Sequence, residues 1–252
     1  MPVATKSTKS KSRTNGSEPT LERLGPSGGQ EVLIQPPRFE SAQFRIVGIA
    51  PYCQARFSQK AMQAIREQHE AGQRARKGKA REPRNFEEDY KQAMHVSTEG
   101  WVGIPASAFR NALISACRLV GFKMTLAKLS LFVAPDGFDA VDGTPLVKIE
   151  GEPEMSVMPV RNATGVLDLR ARPMWRQWAA NLVISWDSDQ FSLTDVVNLL
   201  SRTGLQVGIG EGRPDSRESH GLGWGLFSIE SATKISSPSA FALPPDIDES
   251  TG

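Results

Sequence analysis

The chain of 252 residues is poor in the groups that most often build metal and redox sites. Its two cysteines, Cys53 and Cys117, stand far apart in no pattern. That excludes a disulfide framework and points to free thiols in a reducing, cytoplasmic compartment. The three histidines combine with these cysteines in no metal-ligand spacing, so a bound metal is not expected. No apolar run is long enough to cross a membrane, and the first twenty residues lack the apolar centre of a secretory signal. Charge of one sign is also missing overall. The formal net charge is only +2, so a polyanion would have to be met by local clusters. The phosphate motif G-x-x-x-x-G-K-[ST] is absent. The G-x-G-x-G at 208–212 runs into Arg213-Pro214-Asp215 and does not open a helix. A nucleotide cofactor is therefore not expected.

Glycine is what the chain concentrates. Between Thr203 and Glu230 stand Gly204, Gly208, Gly210 and Gly212, then Gly221, Gly223 and Gly225. A polar run with Arg213, Arg217 and His220 separates the two groups. Glycine serves where the backbone needs positive φ or where another group must approach the main chain. Beside arginines, such a loop suggests bare N–H groups and guanidinium groups meeting an anion. Without a nucleotide motif, the backbone of a polynucleotide is the better candidate. The competing reading is a sharply bent hairpin that binds nothing.

Residues 1–30 are rich in Ser, Thr, Lys and Gly and are expected to form a disordered basic tail; 236–252 are expected to be a flexible tail. One domain, 31–235, is expected between them. QFRIVGIA at 43–50 reads as a strand, and 58–72 has helical spacing with Ser58 as N-cap. The run 73–84 carries Arg74, Arg76, Lys77, Lys79, Arg81 and Arg84 against Glu82. It reads either as a solvated loop or as an excursion that contacts phosphates. FEEDYKQAMH, 86–95, reads as a short helix. Pro105 suits the start of the next helix, in which Phe109, Ala112, Leu113, Ala116 and Val120 share one face and Gly121 ends it. Arg110 and Arg118 lie off that face.

Strands are expected at 126–133, 146–150, 155–160, 181–186 and 226–229, and a helix at 194–202. Arg161, Arg170, Arg172 and Arg176 surround Trp175 and Trp178. Such a group is a base-stacking and phosphate-contacting surface if the rings are exposed. It is a core with snorkelling arginines if they are not. Two β-α-β halves of this kind fit an α+β fold with a ferredoxin-like, split β-α-β antiparallel sheet and insertions, the main one at about 53–98.

Two segments resemble a known family. GIPASAFRNALISACR, 103–118, is similar to the helix-opening motif of the RAMP superfamily of CRISPR-associated proteins. There a Gly-Ile-Pro-Gly-Ser-Ser-like stretch leads into a helix with an early basic residue; here Ala106 replaces the usual glycine. GIGEGRPDSRESHGLGWGLFSIE, 208–230, is similar to that superfamily's glycine-rich loop, which ends in Gly-x-Gly-x-hydrophobic. The subgroup it resembles is the backbone subunit of CRISPR surveillance complexes. That implies a modified RNA-recognition-motif sheet, an inserted thumb and a non-catalytic chain that multimerises along a guide RNA. The partners implied are single-stranded RNA or DNA and further copies of the chain, or the other subunits of a ribonucleoprotein complex. The layout also resembles uncharacterised tailed-phage proteins, which implies a coat for single-stranded DNA. Other superfamily members are metal-independent endoribonucleases, and His220 would then need a partner such as His69, His95, Tyr52, Tyr90 or a lysine. For a binder, the candidate contacts are Arg74, Arg76, Lys77, Lys79, Arg81, Arg110, Arg118, Arg161, Arg172, Trp175, Arg213, Arg217, His220, Gly221 and Gly223, with no catalytic residue.

Overall fold

The computed structural model describes residues 36–56, 85–161, 167–216 and 222–235, with 160, 161 and 167 described by their backbone alone. In chain order the elements are β1 (Phe39–Gly48), β2 (Tyr52–Cys53), α1 (Phe86–Gln92), β3 (His95–Val96), β4 (Val102–Pro105) and α2 (Ala106–Ala116). Then come α3 (Met124–Ser130), β5 (Leu131–Ala134), β6 (Gly137–Phe138), β7 (Pro145–Glu150), β8 (Pro153–Arg161) and β9 (Leu167–Trp175). The chain closes with β10 (Ala179–Asp187), α4 (Leu193–Arg202) and β11 (Phe227–Ile235). The fold is mixed α+β, with antiparallel pairing throughout the sheets described. None of these helices is long and apolar enough to cross a membrane.

β1 alternates in the two-residue period of a strand with one packed face: Ala42, Phe44 and Ile46 are buried and Gln43 is exposed. It pairs on one side with β11 and on the other with β10. The sheet runs β11-β1-β10-β7-β4-β3, and β5 pairs with the far half of β10. α2 and α4 cover its inner face. Phe109, Leu113, Val196 and Leu200 join Phe44, Ile46, Leu182, Ile184 and Trp186 in one core. α4 starts where expected because Ser192 caps it, with Asp195 closing a capping box. A second sheet, β2-β9-β8, carries the long hairpin. β2 leads the chain out of β1 and into that sheet.

Several local expectations change. The segment expected as a strand from 126 is α3 followed by the short β5. Ala127, Ser130 and Leu131 are buried at helical spacing while Leu129 faces out. Arg110 of α2 supplies the missing partner, donating to the carbonyls of Lys128 and Leu131 that a helix end leaves open. Val120 is half exposed instead of buried, because the end of α2 tightens into a 3-10 turn over Cys117–Val120 and turns it off the packed face. Gly121 ends that turn at φ 71°. β9 occupies a stretch without an expected strand, and β11 runs on to Ile235 as an edge strand paired with β1. His95 leaves the short helix and begins β3. The expected tails and the helix at 58–72 lie outside the described residues.

Candidate nucleic-acid interface

The glycine loop is shaped by what lies beneath it. Tyr52 is fully buried, with the rings of Trp175 and Trp178 at 5.5 and 5.6 Å. Trp178 in turn meets Phe227 edge-on at 6.1 Å. The loop lies on this aromatic cluster at backbone distance. A Cβ at Gly210 would stand 2.5 Å from the Tyr52 ring, and one at Gly225 1.8 Å from the Ile209 carbonyl. Gly208, Gly210, Gly212, Gly223 and Gly225 all have positive φ. These turns aim the amides inward. Ile209 N donates to Gly225 O, Glu211 N to Cys53 O, Trp224 N to Gly212 O and Gly225 N to Pro51 O. For these four amides the expectation of bare N–H groups is corrected: their hydrogen bonds close within the protein, and Gly210 and Gly225 serve close packing.

Beside the loop runs a groove of about 910 Å³. Its walls are the loop from Ile209 to Ser216, the α2 face with Ala108, Asn111 and Ser115, and the hairpin face with Met158, Arg170 and Arg172. Gln54, Arg56 and His95 also line it, and Lys128 borders it from α3. Arg56, Lys128, Arg170, Arg172 and Arg213 thus reach one groove from four separate segments. Two acids of the loop, Glu211 and Asp215, border it as well.

The arginines differ in what already holds them. Arg213 donates to Gly210 O at 2.9 Å and pairs with no acid among the described residues. Arg172 is bonded to Glu211 at 3.0 Å. Arg170 stands 3.6 Å from Asp168, a long pair. Arg56 is nearly buried and bonds Asp139 and Asp142, each at 3.0 Å. Asp139 is fully buried and also accepts from His95 Nδ1 at 2.8 Å and from Val141 N. His95, Asp139 and Asp142 bring their ligand-type atoms within 4.8 Å of one another, but the guanidinium of Arg56 already bonds both carboxylates. We read the cluster as an ion-pair network and not as metal ligands.

Burial shapes the ionisation of these groups. It pushes the Cys53 thiol up to about 12, with the neighbouring Glu211 carboxylate adding to the effect. Burial also raises Tyr52. Burial works to raise Asp142, yet its hydrogen bonds from Thr144 and Arg56 outweigh this and hold it below the usual carboxylate range.

Three residues expected at the interface have other work. Trp175 is fully buried and donates its indole N–H to Gly151 O at 3.2 Å, so no base can stack on it. Arg110 holds the end of α3 and lies 5.1 Å from the centre of the Phe132 ring. Arg118 is half exposed but bonds Ser115 Oγ at 2.7 Å and Asp215, tying the loop to α2. Arg172 and Arg213 line the groove, as do Leu222 and Trp224 on either side of Gly223, whose own Cβ position is open. Arg74, Arg76, Lys77, Lys79, Arg81, Arg217, His220 and Gly221, and the Arg161 side chain, lie outside the described residues. The sequence reading missed Arg56 and Asp139, and it named His95 only as a possible partner of His220. Arg56 meets Asp139 across 83 positions, so no local spacing announces the pair. No family model matches the chain, and no curated protein shows significant similarity to it.

Proposed function

We propose that the chain is a non-catalytic binder of single-stranded nucleic acid that multimerises along the strand. In this reading its groove holds the phosphate backbone. The observation that carries it is the convergence of Arg56, Lys128, Arg170, Arg172 and Arg213 on one groove open to solvent. Cations gathered from distant segments suit a ligand with repeated negative charge. The groove also has an apolar share, from Ala108, Met158, Leu222 and Trp224, against which bases can lie.

The sheet order supports a ferredoxin-like, RNA-recognition-motif-derived scaffold. β11-β1-β10-β5 is antiparallel, with α2 between β1 and β5 in sequence and α4 between β10 and β11. That is the connectivity of a split β-α-β sheet. It supports the resemblance to the backbone subunits of the RAMP superfamily, and we propose that the chain is a relative of that kind.

The test is affinity for fluorescent RNA and DNA oligonucleotides between about 50 and 200 mM salt. Several phosphate contacts should cost orders of magnitude over that range. A flat salt response, or a preference for duplex, would sink the proposal.

A further inference from the structure

We infer that copies of the chain join head to tail, the outer face of the β8-β9 hairpin of one against the outer side of α3 of the next. This rests on the nucleic-acid reading of the groove and names the contact that lines copies up along a strand. Both walls of the groove carry exposed aliphatic side chains on their far side. On α3, Leu126 and Leu129 are 39% and 71% exposed and lie on the side away from Met124 and Lys128, which line the groove. Leu119 and Val120, both about half exposed, extend this patch along the 3-10 turn that packs against α3. On the hairpin, the register sets Met155 opposite Pro173 and Val157 opposite Ala171, so these side chains share one face, with Leu169 next along it. Pro173 and Ala171 are buried, whereas Met155, Val157 and Leu169 are close to half exposed. Met158, Arg170 and Arg172 belong to the opposite face, and that face lines the groove.

Grouped aliphatic side chains left in water mark a contact surface. The charges around the two patches say what meets them. From Ala106 to Ala134 the chain carries Arg110, Arg118, Lys123 and Lys128 and no acid. Lys123 and Lys128 are exposed beside the leucines. Glu152 and Glu154 are exposed where the chain enters the hairpin, and Glu154 holds one cation, Arg176, of its own. Pairing like patches would set like charges together, whereas pairing unlike patches sets acid against base. The fitting partner for each patch is therefore the other patch of a second copy. Such a contact does not close at two copies; it repeats. Because the patches back the two walls of one groove, each added copy sets its groove beside the last, and one strand can pass from groove to groove.

The experiment compares wild type, Leu129→Glu and Val157→Glu on a single-stranded oligonucleotide that holds one copy and on one several times longer. Sedimentation reads how many copies the long one carries. Neither residue lines the groove, so all three proteins should bind the short oligonucleotide alike, which also shows that the variants are folded. Wild type should fill the long one cooperatively, each copy binding about tenfold to a hundredfold more tightly beside another. Each variant should lose that gain, because its carboxylate would be buried in an apolar contact. An equal mixture of the two variants keeps one sound contact, the intact hairpin of Leu129→Glu against the intact α3 of Val157→Glu. It should load the long oligonucleotide in pairs and no further. Wild type without cooperativity, cooperativity kept in either variant, or a mixture that forms no pairs overturns the inference and leaves the binder reading standing. Absence of binding to both oligonucleotides overturns the binder reading and the inference with it.

Discussion

Gly210 lies against Tyr52, with room for no side chain between them: a Cβ at 210 would stand 2.5 Å from the ring and 2.6 Å from the Cys53 carbonyl. Gly223, in the same loop, has φ +67° but nothing within 4 Å of its Cβ position. The two glycines therefore separate packing from conformation. Gly223→Val should cost about 1–3 kcal/mol, the cost of a branched residue in a left-handed conformation. Gly210→Val carries that cost plus overpacking against a buried ring, and should reach about 2–6 kcal/mol. Urea unfolding of both variants checks the order. Equal losses would show that the loop gives way at Tyr52.

Arg213→Ala and Arg110→Ala should part in opposite directions. Arg213 borders the groove, and among the described residues its guanidinium hydrogen-bonds only the Gly210 carbonyl. Its loss should leave the melting temperature within a degree or so of wild type, lower affinity, and reduce the salt slope by about 0.7. Arg110 satisfies two carbonyls at the end of α3. Its loss should destabilise by about 1–3 kcal/mol and leave the affinity of the folded protein unchanged. Calorimetry beside a binding assay reads both.

Glu211 holds Arg172 with its own carboxylate, in competition with any phosphate. Glu211→Gln keeps the shape and removes the charge. Nucleic-acid affinity should rise severalfold, with the gain largest at low salt, where charge is least screened. A fall in affinity would mean that the pair positions Arg172 for the ligand instead of withholding it.

Stability should fall on the alkaline side, and Cys53 is one reason. An unfolded thiol ionises near pH 8.5, whereas the native one stays protonated up to about 12. Its contribution is whole below about pH 8.5 and is lost as pH rises from there toward 12. Between those values the unfolded state binds fewer protons, so stability drops by up to about 1.4 kcal/mol per pH unit. Urea midpoints at pH 8 and pH 10 should show the drop, and Cys53→Ala should lessen it.

The basic run at 73–84 is predicted from charge alone. Serine at Arg74, Arg76, Lys77, Lys79 and Arg81 removes five positive charges and no large apolar side chain. Affinity should fall at low salt while the melting temperature holds. Unchanged affinity would return the run to solvated surface.

The sequence by itself determined the elements whose cause is local. Alternation in QFRIV made β1, Ser192 with Asp195 capped α4, and Gly121 stopped the turn after α2, each from residues within a few positions. The glycines after Thr203 marked a backbone of positive φ and close approach, which Gly208, Gly210, Gly212 and Gly225 have. Tertiary structure alone decided what each polar or aromatic group faces. Leu126–Ser130 reads locally as strand, yet carbonyls at its end are met by an arginine from another helix, and it is helical. Trp175 and Arg172 are near neighbours on β9, but one is fully buried and the other borders the groove. Arg118 and Arg213 are alike in the sequence, but Asp215, 97 positions from Arg118, holds Arg118. The reason is physical. Backbone periodicity and caps are set by neighbours along the chain, whereas whether a guanidinium awaits a ligand depends on which carboxylates and carbonyls the fold brings within 3 Å of it.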